Sequence, residues 1–384
     1  MKPLFIFLRC VSCVVIIILV LELCARADDA LTFGAPFWGA YNDQVLYAID
    51  QIGKWGKPGA RYERWQLNSL GYRGPELSLG TIRIVCFGAS ETFGLYEDPN
   101  EEYPRQLERK LNAMAGSDVF QVVNAAFPGE TLTTAILRVP QVVSQVHPSY
   151  ALIYPSLANY ISIAPSSTVV RSSQPPEALS DRIFDLRIAN RIHNLLKAAL
   201  PQVIQTKLRQ REIARESASN QVMDRLPEEN VVRFRKDLTD LIAALRDRNV
   251  EPVLVTHATV FGTTLSQRDH DLLTAWRKFY PMLQESGFID MEQRMNRVIR
   301  ETANRENIPL IDVENEIPHR PEYFADFVHF TTAGATVMAS DLANGLKPVV
   351  FARPQTQTAL PSRDVRPQIL TGKELSHATA ASKN

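Results

Sequence analysis

From Thr81 onward, short apolar runs alternate with segments whose apolar residues recur every three or four positions. The runs at 82–87, 119–123, 150–154, 253–255 and 308–312 have strand length. They are mainly apolar rather than strictly alternating, as suits strands buried on both faces. The spacing between them predicts helices over 101–114, 131–146, 231–247, 266–284, 288–305 and 332–346. Tyr103, Leu107, Leu111 and Met114 share one face of the first. Phe234, Leu238, Leu241, Ile242 and Leu245 do the same in the third. Repeated strand–helix units imply a parallel sheet covered on both sides. The expected fold class is α/β, a three-layer α/β/α sandwich with a central parallel sheet over 81–350.

The rhythm breaks at about 161–230. A Pro/Ser-rich stretch from Ala164 to Ala178 leads into charged helical sequence at 183–200 and 202–220. This reads as an insertion, either a helical lid or a partly disordered excursion. Residues 28–80 form a lead-in rich in Gly, Trp and Tyr, with no helical period. Gln66–Glu76 reads as irregular chain that wraps the sheet edge or lines the approach to the site, or as a plain lead-in strand. Pro348 and Pro354 are expected to end order, leaving 351–384 as a disordered tail.

The first 27 residues differ in kind. Lys2 and Arg9 precede an apolar run from Cys10 to Leu21, and Glu22, Arg26, Asp28 and Asp29 follow it. Positive charge before the run and acid after it direct the chain from inside to outside. The segment reads equally as a signal peptide, with Ala25-Arg26-Ala27 as a cleavage site, or as a membrane anchor. In either case the domain is expected outside the cytoplasm.

Composition narrows the function classes. The 384 residues are 45% hydrophobic, with 42 basic and 42 acidic side chains. Zero net charge and no basic stripe argue against a nucleic-acid partner. Of the four cysteines, three lie in or beside the apolar N-terminal segment and Cys86 lies in the first strand. Disulfides are therefore not expected in the domain. There is no phosphate loop and no metal-ligand spacing, so no cofactor is expected.

The candidate chemistry falls at predicted strand ends or in the loop before the last helix. Ser90 stands in the turn after strand 82–87, where a strand–turn–helix context can present a hydroxyl at the sheet edge. Gly129 and Asn159 follow the second and third strands. In a parallel sheet those ends converge beside Ser90. His329 is the candidate base, and Asp326, three residues earlier, is spaced to orient it from a helical turn. The Ser90 and Gly129 amides with the Asn159 side chain would form an oxyanion hole. Taken singly, these are ordinary turn, cap and core residues. Their common placement gives them weight. His257 closes a strand on the same edge, where it reads as lining the pocket or, in preference, as core or loop filling.

The set resembles the SGNH (GDSL-type) hydrolase superfamily. The matching blocks are Gly88-Ala89-Ser90, Gly129 after Asn124-Ala125-Ala126-Phe127-Pro128, Asn159, and Asp326-Phe327-Val328-His329. Asn68–Glu76 is similar to the lead-in of membrane-associated bacterial members. The chain departs at Ala89, where Asp is usual, and at Leu157-Ala158-Asn159-Tyr160, which lacks the usual flanking Gly and Asp. The resemblance implies a flavodoxin-like sandwich. It also implies an esterase cleaving acyl or acetyl esters, with Ser90, His329 and Asp326 as triad and Ser90, Gly129 and Asn159 as oxyanion hole. Two other functions suit the same residues. One is O-acetyl transfer to or from a cell-surface polysaccharide. The other is a non-catalytic glycan-binding or assembly module, which predicts no hydrogen bond between Ser90 and His329. The expected partner is a small acyl ester or an acylated glycan, with the membrane added if the N-terminal segment is retained.

Overall fold

The computed structural model describes residues 2–39, 41–161, 186–189, 191, 192, 195, 213 and 222–351. Five parallel strands form its centre: β5 (Ile82–Phe87), β6 (Phe120–Asn124), β7 (Tyr150–Ile153), β8 (Glu251–Val255) and β9 (Leu310–Ile311). Their order is β6-β5-β7-β8-β9. In order of appearance that is 2-1-3-4-5, the flavodoxin-like doubly wound arrangement. The register sets Ile84 against both Val122 and Tyr150, and Leu152 against Val253. These residues are all buried, which is why the runs are apolar without alternation.

Helices cover both faces. On one side α3 (Tyr103–Ala115) packs against α9 (Thr332–Val350). On the other, α4 (Leu132–Val146), α5 (Glu228–Arg246) and α7 (Glu285–Arg305) lie side by side. One-turn helix α2 (Ser90–Phe93) follows β5, α6 (Gln267–Arg277) precedes α7, and α8 (Val313–Glu316) follows β9. The sandwich expected from the pattern is thus present.

Two helix C-termini differ most from expectation. α6 stops at Arg277, short of residue 284. Pro281 disfavours the helical region for the residue before it, and the chain turns there. α9 runs through Pro348 to Val350. Val350 is buried and the rings of Phe351 and Phe120 meet at 5.3 Å, so packing overrides the proline. The tail from 352 and most of the two insertion helices lie outside the described residues. Residues 187–189, 191 and 192 are helical.

The lead-in is more regular than its sequence suggests. β1 (Tyr47–Ile49) pairs with β2 (Lys54–Gly56), and β3 (Arg61–Tyr62) with β4 (Trp65–Gln66), both antiparallel. Such two- and three-residue strands carry too little alternation to read. Residues 67–76 do wrap the sheet edge. Arg73 bridges Asn124 on β6, and the Asn68 carboxamide accepts from Leu70 and Tyr72 N–H. Gly56 is required there, because a Cβ would stand 2.0 Å from the Gly71 carbonyl.

α1 (Lys2–Phe33) is one continuous helix. Its portion Arg9–Phe33 is long and apolar enough to cross a membrane, with mean hydropathy 2.4. A signal sequence or a membrane segment meets the same description. The end of the helix is polar and docked. Glu22 pairs with Arg26 and accepts from the N–H groups of Arg187 and Ile188. Arg191 pairs with Asp28 and Asp29.

Candidate active site

Ser90 begins α2 directly after β5. The turn before it needs glycine at 88, because a Cβ there would lie 2.0 Å from Thr92 Oγ1 and 2.9 Å from the Tyr154 carbonyl. Thr92 Oγ1 is itself tied to Tyr103 Oη at 2.8 Å, and Asn124 donates to the Thr92 carbonyl. Arg73 donates to the carbonyls of Phe93 and Gly94 that close the turn. Ser90 therefore stands on backbone held from β6, β7, α3 and the lead-in.

Asp326 and His329 meet as the sequence suggests, by a different local geometry. The loop is not a helical turn. A backbone bridge between Phe324 and Phe330 closes it, and Asp326 Oδ1 accepts from Val328 and His329 N–H at 3.0 and 2.9 Å. The second oxygen meets His329 Nδ1 at 2.8 Å. That contact gives Nδ1 the proton and leaves Nε2 as the ring's acceptor nitrogen. Burial pulls the His329 pKa down, but the Asp326 hydrogen bond and the charge of Glu91 outweigh it, and the net shift is upward. Tyr96 sets its ring edge on the imidazole at 5.5 Å.

Ser90 and His329 are not hydrogen-bonded to one another. Ser90 Oγ donates to Glu91 Oε2 at 3.2 Å. His329 Nε2 is buried with no hydrogen-bond partner among the described residues. Resting geometry of this kind is common before substrate closes a site.

The other two candidates stand in the loops that follow β6 and β7, the strands on either side of β5. Gly129 has φ +81°, a conformation glycine adopts without strain. Lys54 of β2 holds the preceding turn by donating to the Pro128 carbonyl at 3.1 Å. Asn159 Nδ2 donates to the Glu130 carbonyl at 2.6 Å, which joins the loops after β6 and β7. An amide nitrogen carries two protons, so one N–H is left for a ligand.

Four residues near the site carried no local signal: Lys54, Glu91, Tyr96 and Ser156. His257 is buried, as its core reading implied, but in an ionic setting. Its Nδ1 meets Glu292 at 2.9 Å and its Nε2 faces Glu91 at 3.6 Å.

Residues 86–337 match the model of the GDSL-like lipase/acylhydrolase family. Among solved structures, the chain is similar to the lipase/acylhydrolase from Enterococcus faecalis (17% identity, 70% of this chain and 97% of that chain, TM-score 0.42). It is also similar to a catalytic mutant of an acetylxylan esterase from Geobacillus stearothermophilus (14%, 70% and 96%, 0.40). A third is a GDSL-like lipase from Bacteroides thetaiotaomicron (12%, 70% and 88%, 0.37). Comparison with curated protein sequences gives no match. With two thirds of its length, including all five candidate residues, inside the matching region, the chain belongs to the GDSL-like lipase/acylhydrolase family.

Proposed function

We propose that this protein hydrolyses carboxylic esters by a serine mechanism, on the outer side of a membrane. Ser90 Oγ attacks the ester carbonyl and passes its proton to His329 Nε2. Asp326 holds the imidazole in the tautomer that can accept it. The oxyanion meets the amides of Ser90 and Gly129 and the free N–H of Asn159. Each such donor contributes on the order of 3 kcal/mol in the transition state. His329 then protonates the leaving alcohol. Water, deprotonated by the same imidazole, releases the acyl group from Ser90.

The observation that carries this reading is the half-buried Asp326–His329 pair, whose buried Nε2 has no hydrogen-bond partner among the described residues. A transferase reading uses the same steps with a sugar hydroxyl in place of water, and acetylated cell-surface glycan is the substrate class it shares with hydrolysis. The non-catalytic reading draws on the absence of a Ser90–His329 hydrogen bond. The test is hydrolysis of p-nitrophenyl esters, from acetyl to long acyl chains, by the full chain in detergent. Activity that disappears in both Ser90→Ala and His329→Ala supports the serine mechanism. A chain silent on every ester, and on acetylated glycan, sinks it.

A further inference from the structure

Below Ser90 runs a chain of buried acid and base groups that the proposed steps leave unused. Glu91 is 3% exposed, His257 1% and Glu292 6%. Burying a carboxylate is costly unless it is paired and hydrogen-bonded, and Glu91 is both. Its Oε2 accepts from Ser90 Oγ at 3.2 Å, and its Oε1 accepts from Ser156 Oγ at 2.8 Å. His257 Nε2 lies 3.6 Å from the same Oε1, at ion-pair rather than hydrogen-bond range. His257 is fixed in turn. Glu292 holds its Nδ1, Asn296 brackets its backbone at 2.7 and 2.9 Å, and the Tyr154 ring stacks on it.

We propose that Glu91 is a positioning residue for the reaction: its carboxylate, seated on Ser156 and His257, holds the Ser90 hydroxyl at rest and faces the imidazolium that forms on His329. This rests on the reading of Ser90 as nucleophile and His329 as base. In the step itself, the Ser90 Oγ–H bond breaks toward His329 Nε2 as Oγ bonds to the ester carbon. The carbonyl electron pair moves onto oxygen. Glu91 takes no proton. Burial pushes its carboxyl up, but His257 and the charges of His329 and His257 bring it down to about 2, so it is too weak a base to compete. It contributes a fixed negative charge.

The groups facing His329 are Asp326 on its own loop, Glu91 on α2, and Glu97 beyond α2, with Tyr96 on its edge. Those facing Glu91 are Ser90, Ser156, His257 and His329, with Glu292 behind His257 and the phenols of Tyr103, Tyr154 and Tyr280 around it. Among the described residues, only Glu91 touches the nucleophile while facing the base.

The test is the pH dependence of kcat/KM on an activated p-nitrophenyl ester, using full-length protein, Glu91→Gln, Glu91→Asp and Ser90→Ala. Gln keeps the shape and an acceptor oxygen but removes the charge. The acid limb of Glu91→Gln is expected to move to lower pH by about half a unit or more, with kcat down roughly tenfold. Glu91→Asp should fall between the two. A residue needed only for packing would lower the amplitude without moving the limb. If Gln at this position does not fold, Asp carries the test with a smaller step in the same direction. A limb that overlays the unaltered protein in the folded variant overturns the inference. An unaltered protein without activity, or an active Ser90→Ala, overturns the serine reading instead.

Discussion

Gly88→Ala tests the turn on which the site stands. The added Cβ would meet Thr92 Oγ1 at 2.0 Å, Thr92 Cβ at 2.7 Å and the Tyr154 carbonyl at 2.9 Å. The last is backbone and cannot swing aside, so the turn itself has to move. Forcing a methyl into a packed site costs about 1–3 kcal/mol. Displacing Thr92 also breaks its 2.8 Å hydrogen bond to Tyr103, at about 1 kcal/mol more. The expected loss is about 2–4 kcal/mol, read in a denaturant titration as a lower midpoint with unchanged slope. Activity of the folded variant should fall as well, because a shift of about 1 Å at the nucleophile can cost about 100-fold. Gly80→Ala is the control. Its φ is +71° but no atom lies within 4 Å of the new Cβ, so it should cost only left-handed strain of about 1–2 kcal/mol and spare the activity. Stability of Gly88→Ala within about 0.5 kcal/mol of the unaltered protein, with full activity, would refute the turn geometry.

Other consequences follow from the same structure. Asp326→Asn keeps the backbone contacts through one oxygen but offers His329 a donor; kcat should fall about 10⁴-fold in ester hydrolysis, with the melting temperature little changed. Because the His329 pKa is raised, the imidazole is protonated over a wider range, and the acid limb of kcat/KM should stand above the ordinary imidazole value. By linkage, the same shift contributes stability that is full below the unfolded-state pKa and lost as pH rises through the folded one. Trp276→Ala removes a ring stacked on Phe288 at 4.4 Å and Phe327 at 4.6 Å, and should cost about 3–5 kcal/mol by denaturant titration. Glu22→Ala leaves the Arg187 and Ile188 amides without their acceptor, and limited proteolysis near 187 should quicken.

Much of the fold was legible because burial on both faces leaves a strong mark. The strands of the central sheet read as mainly apolar runs, broken at Arg83 and Gln121, and α3 and α5 carry clear stripes. Asp326 and His329 were legible because their contact is local, three residues apart, although the loop that makes it is a bridged turn. Glu91, His257 and Glu292 were not. Glu292 lies 35 residues from His257, and nothing in the local pattern of either marks the pairing. Burial of an acid is decided by what folds around it. The continuation of α9 through Pro348 has the same cause: Val350 and Phe351 pack against distant elements that a propensity reading cannot see. Asn159 fell between these cases. Its place after a strand was readable, whereas its hydrogen bond to Glu130 depends on a neighbouring loop.

The most direct test of the central claim is covalent labelling of the full chain in detergent with a fluorophosphonate, followed by peptide mass mapping. A nucleophilic serine served by His329 predicts one equivalent of label on Ser90, with the rate falling by orders of magnitude in His329→Ala. Label absent from Ser90, or arriving there equally fast without His329, would contradict it.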